Sequence, residues 1–207
     1  MRGITYQDKG DFDRAIADYD KAITLDPKDA EPHEIRGLAY YLKGDLDRAV
    51  ADSRKALELQ PEDDDAWRLL GMAHYAADDF KSASADLLRA IELKDDVYAM
   101  LFRFLARSRT GEAAEAELEA NAGRLKTTEW PFAVTELYLS KRSPAATLAA
   151  AATPEQRCEA QFYVGEWHVL KGNRADAEIA LKAAVDTCPK TFVEYTAATA
   201  ELKRIKP

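Results

Sequence analysis

Sliding the chain against itself by 34 residues brings three stretches into register. Gly3, Gly37 and Gly71 coincide, as do Tyr6, Tyr40 and His74, Ala15, Ala49 and Ala83, and Ala22, Ala56 and Ala90. Gly10 and Gly44 share a turn position with Asp78. Phe12, Leu46 and Phe80 open a second helix, which Leu25, Leu59 and Leu93 close; Pro27 and Pro61 follow, where the third copy has Asp95. A repeat of this length is one helical hairpin, and a hairpin alone cannot bury its apolar face, so copies stack. Small residues at the Gly3 and Ala15 positions let paired helices approach closely. The turn glycine takes a positive φ, and proline ends the unit because it lacks an amide proton and clashes with the preceding turn.

With these landmarks residues 1–97 resemble the tetratricopeptide (TPR) family nearly without gaps. The resemblance implies an all-α fold, a right-handed α-α superhelix of stacked hairpins, with a concave groove that commonly holds another protein. The chain divides as a partial unit over 1–29 and regular units over 30–63 and 64–97. Over 98–157 the spacing loosens. Segments 98–109 and 112–125 pair around Gly111, with Met100, Leu101, Phe104 and Leu105 at helical spacing. Trp130-Pro131 opens a short helix, and Ser143-Pro144 caps an alanine-rich one. A late repeat over 158–191 restores the register through Gly165, Gly172, Ala177, Ala184 and Pro189, and 192–204 reads as a terminal capping helix.

Composition narrows the partners. A formal net charge of −8 argues against nucleic acid, which draws its affinity from clustered lysine and arginine. A basic or neutral protein surface suits it better. No apolar run approaches the roughly 20 residues that span a bilayer.

The carboxy-terminal half carries a second resemblance. The run from Glu129 through Trp130, Pro131 and Phe132 to Leu139, and the landmarks Phe162, Tyr163, Val164, Gly165, Gly172, Ala184, Val185, Phe192, Val193, Glu194, Glu201 and Leu202, are similar to NlpI-type bacterial envelope lipoproteins. That implies a periplasmic adaptor, dimeric in the family, that brings cell-wall hydrolases to a processing protease. No signal peptide or lipid-attachment cysteine is visible, so a cytoplasmic TPR scaffold, or the interaction portion of a larger regulator, stays open. The register also places residues of the first hairpin before Gly3, which predicts either a truncated product or an exposed edge, around Ile16 and Tyr19, that pairs with a second copy as a homodimer.

In the TPR family the first helix of each hairpin lines the groove. Here its inward positions are Glu34, Leu38 and Tyr41 in the second unit and Arg68, Met72 and Tyr75 in the third. Aromatic and methionine side chains beside single charges suit a peptide with apolar anchors, although Tyr41 and Tyr75 equally suit packing against neighbouring helices. A two-carboxylate clamp is not expected, since Arg68 alone does not supply the cations it needs.

Cys158 and Cys188 stand at the start and end of the late hairpin, which brings them together. Either they form a disulfide, closing a loop of about 30 residues and adding roughly 3 to 4 kcal/mol, or they are two reduced thiols. The bonded form would indicate an oxidising compartment. His33, His74 and His168 fall where repeats carry large aromatics and lack metal-ligand spacing. The acidic run Glu62-Asp63-Asp64-Asp65 lacks the glycine and final glutamate of a calcium loop and fits helix capping. No metal, no cofactor and no catalytic residue is expected, and the chain reads as a non-enzymatic adaptor.

Overall fold

The computed structural model describes residues 2–125 and 127–206, and among them every regular element is a helix. They are α1 (Arg2–Asp8), α2 (Phe12–Leu25), α3 (Glu31–Lys43), α4 (Leu46–Leu59), α5 (Asp64–Ala76), α6 (Phe80–Leu93), α7 (Val97–Arg109), α8 (Glu115–Ala122), α9 (Phe132–Tyr138), α10 (Pro144–Ala150), α11 (Pro154–Leu170), α12 (Arg174–Thr187) and α13 (Val193–Arg204). Each helix of the regular units packs on the next, so hairpins stack in chain order.

The repeat is visible in the caps. Asp11, Asp45 and Asp79 each accept a hydrogen bond from the backbone N–H three residues on, at 3.3, 3.3 and 3.1 Å, which satisfies a free donor of the second helix of each unit. The turn before each cap needs a left-handed residue. Gly10 and Gly44 have φ of 73° and 82°, and Asp78 holds the same conformation at 67° in the third unit, a tolerance aspartate has and bulky residues lack. Close packing follows from the small residues: a Cβ on Gly71 would stand 2.5 Å from Leu87 Cγ, and one on Gly165 would stand 2.7 Å from Leu181 Cγ.

A charge pair repeats with the same period. Arg2 binds Asp18 and Arg36 binds Asp52, both with Nε at 2.7 Å, and Arg36 also reaches Asp20 of the preceding unit at 2.6 Å. In the third unit Leu70 replaces the arginine and Arg54 stands where Asp20 would be. There His74 takes over, with Nδ1 2.6 Å from Asp86 and Nε2 3.3 Å from Arg54. His74 and His33, 3.5 Å from Asp52, are therefore polar partners of the hairpin charge pair as well as packing residues.

The irregular stretch is built from three short helices, α8 to α10. They turn the chain so that α11 comes back against α7 and α9. A smaller core cluster of Ala56, Leu57, Ala66 and Leu70 sits between α4 and α5, and the main one runs from Phe12 to Ala198. Its centre is aromatic: Phe102 lies 5.5 Å from Tyr75, 5.8 Å from Phe162 and 6.3 Å from Tyr163 between ring centroids, and Phe104 stacks on Tyr138 at 4.9 Å. Cys158 of α11 is bonded to Cys188 at the end of α12, with Cα atoms 5.0 Å apart. The terminal helix α13 packs on α12, and it also reaches α3 and α5 at the other end of the chain.

Candidate functional site

The first helices of the hairpins, α3, α5 and α7, form the inner layer of the stack, and α11 and α13 lie against that layer. This changes the status of the six side chains assigned to the groove. Tyr41, Met72 and Tyr75 are 0, 1 and 1% exposed, so in this conformation they touch no partner. The Tyr41 hydroxyl donates to the Val193 carbonyl at 3.3 Å, and that of Tyr75 to Glu166 Oε2 at 2.9 Å. They face inward as the repeat register requires, but the superhelix winds tightly enough for its own later helices to fill the concavity. Glu34, Leu38 and Arg68 are half-buried and still reach solvent.

The filled part is held by charge. Arg109 Nη2 lies 2.9 Å from Glu166 Oε2 and 2.5 Å from Glu201 Oε1. Arg204 pairs with Glu201 and with Asp78, and donates to the carbonyls of Tyr75 and Ala76 at 3.2 and 3.3 Å. Both glutamates are fully buried, which is tolerable only because each has a cation. Sequence reasoning missed this group. Its members Arg109, Glu166, Glu201 and Arg204 come from α7, α11 and α13, and on a helix each looks like an ordinary surface residue.

The open part is acidic. Burial raises the Glu34 carboxyl to about 7, reinforced by Asp63, Asp65 and Glu31, while Arg68 acts in the opposite direction. Arg68 itself is paired with Asp65 at 2.6 Å. Deeper in, Glu159 accepts from the Tyr98 hydroxyl at 3.0 Å and from Trp130 Nε1 at 2.8 Å, so Trp130 is both a packing wedge and a donor. Glu194 is buried and accepts from the Tyr163 hydroxyl at 3.3 Å. Burial first, then Glu159, pushes its carboxyl up to about 8.

These two shifts have a stability consequence. Both folded values exceed the ordinary 4.5, so the folded chain keeps protons that the unfolded chain has released. The contribution is complete below about pH 4.5 and is lost as pH rises through 7 to 8. Glu194→Gln keeps the neutral form at every pH. It should raise Tm at pH about 8.5 on the order of 5 °C and leave Tm at pH about 5 nearly unchanged. A wild-type Tm that is equal at the two pH values, measured by thermal circular dichroism, would refute the assignment.

No curated protein matches the sequence significantly. A family model described as TPR repeat matches residues 3–44 and 37–78. Residues 3–78 are therefore similar to TPR repeats. Solved structures extend the likeness to the whole stack. MamA is 25% identical, with 89% of this chain and 93% of that chain covered and a TM-score of 0.54. A tetratricopeptide repeat protein from Parabacteroides merdae is 17% identical, covering 96% and 80%, with a TM-score of 0.62. YrrB, described as a TPR protein with an unusual peptide-binding site, is 22% identical, covering 97% and 88%, with a TM-score of 0.52. The last two establish the fold alone. The chain thus has the fold of a TPR solenoid, and no helix among its described residues is long and apolar enough to cross a membrane.

Proposed function

We propose that this chain is a non-enzymatic adaptor that binds protein or peptide partners through the open rim of its concave face. The observation that carries this reading is the half-buried set Glu34, Leu38 and Arg68 on α3 and α5, an apolar side chain flanked by single charges on adjacent TPR units. The acidic surround favours a partner segment bearing lysine or arginine. We place the adaptor in the bacterial envelope, with processing proteases and cell-wall hydrolases as its partners. The carboxy-terminal resemblance to NlpI-type proteins supports that placement, as does the Cys158–Cys188 bond, since disulfides persist in oxidising compartments.

Affinity capture from separate envelope and cytosolic extracts tests both parts. The wild-type chain is expected to retain envelope proteins, and Glu34→Lys combined with Leu38→Lys to lose at least about 90% of them, as loss of interface anchors does, with an unchanged circular dichroism spectrum. Equal capture by the double variant would move the docking surface off the rim. Capture from the cytosol alone would assign the chain to a cytoplasmic scaffold.

A further inference from the structure

The helix that fills the concave face is chemically unlike the floor it covers. Tyr41, Met72 and Tyr75 are among the largest fully buried side chains of the protein. The buried residues of α13 are Glu194, Thr196, Ala197, Ala198 and Glu201, two carboxylates, a hydroxyl and two methyl groups. Ala197 and Ala198 join the apolar core, and the remaining attachment to α3 and α5 is polar. Tyr41 donates to the Val193 carbonyl, Thr196 Oγ1 donates to the Leu42 carbonyl at 3.5 Å, and Arg204 donates to the carbonyls of Tyr75 and Ala76. Three of these acceptors are end carbonyls of α3 and α5, groups that need a donor from outside their own helix.

Two further features bear on the release of α13. A cleft of about 240 Å³ separates one side of it, at Tyr195, Thr199 and Lys203, from the α3–α4 turn at Lys43 and Gly44. At its base the chain is pinned by Cys188 to Cys158 of α11, so α13, which also packs on α11 and α12, has a fixed point from which it can leave without unravelling α12. The buried ion pairs add specificity and little net free energy, because desolvation offsets their attraction. Elements held this way open locally at a lower free energy than the core.

We propose that α13 is an internal stand-in for a partner helix. It leaves α3 and α5 as a unit, and the exposed floor accepts an α-helical segment of matching chemistry: a face of alanine and threonine, a carboxylate for Arg109, and a hydroxyl or guanidinium for the end carbonyls. This rests on the adaptor reading and assigns the covered half of the concave face to a helix, beside the rim already described. The apparent affinity of the partner is then reduced by the fraction of chains in which α13 is closed.

The test uses the full chain and a fluorescent synthetic peptide spanning residues 192–204. Glu201→Gln with Arg204→Gln in the chain weakens the closed form and leaves the floor intact. The peptide is expected to bind this variant at least about ten-fold more tightly than wild type by anisotropy. Hydrogen exchange should be faster in α13 than in α5 and α11 of the wild-type chain, and faster still in the variant. Uniform exchange across α5, α11 and α13 in both proteins, with no peptide binding to either, would overturn the proposal. So would a variant that forms dimers with α13 seated on a second copy. Because the peptide assay needs no natural partner, its result is independent of the rim variants, and either reading can fail alone.

Discussion

Arg109→Leu is expected to destabilise the protein by about 3–5 kcal/mol, the cost of leaving a buried charge without its partner. Arg109 is the only cation paired with Glu166 among the described residues, and Glu166 is fully buried, with the Tyr75 hydroxyl as its other donor. Glu201 retains Arg204, so most of the loss falls on Glu166. Urea titration monitored by circular dichroism measures it. Adding Glu166→Gln to the Arg109→Leu chain removes the stranded charge and should restore more than half of the stability. A double variant as unstable as the single one would mean that Arg109 acts through packing, over the Phe80 ring 5.5 Å away, and not through charge.

Phe102→Ala should cost about 3–5 kcal/mol, the range for large-to-small changes at aromatic core positions. Phe102 is fully buried where α5, α7 and α11 meet, with Tyr75, Phe162 and Tyr163 around its ring. Rigid helices anchored in three hairpins cannot collapse into the space it leaves. Leu25→Ala makes the contrast. Leu25 recurs in register with Leu59 and Leu93, yet it is 87% exposed, and its loss should change stability by less than about 0.5 kcal/mol. Similar losses for the two variants in a common urea titration would contradict the central position given to Phe102.

Much of the fold was legible before any coordinates. The cap aspartates, turn glycines and close-packed alanines act within one hairpin, between residues a few turns apart, so their causes lie in the local chain. The inward face of α3 and α5 was legible for the same reason, because helical periodicity determines which side chains share a face. Tyr41 and Tyr75 do meet the later helices, through Val193 and Glu166. Their accessibility was not legible. Whether Tyr75 meets solvent or Glu166 depends on a contact across 91 residues of sequence.

Local order thus follows from the 34-residue register: a helix pair per unit, small residues at the crossing, a left-handed turn even where aspartate replaces glycine. The tertiary structure alone decided that the stack curls onto itself, with α13 against α3 and α5 and two glutamates buried beside two arginines. The physical reason is accumulation. Superhelical curvature sums small rotations between successive hairpins, and the short helices α8 to α10 add theirs through packing among residues that share no repeat. No single residue carries that sum, so no motif announces it.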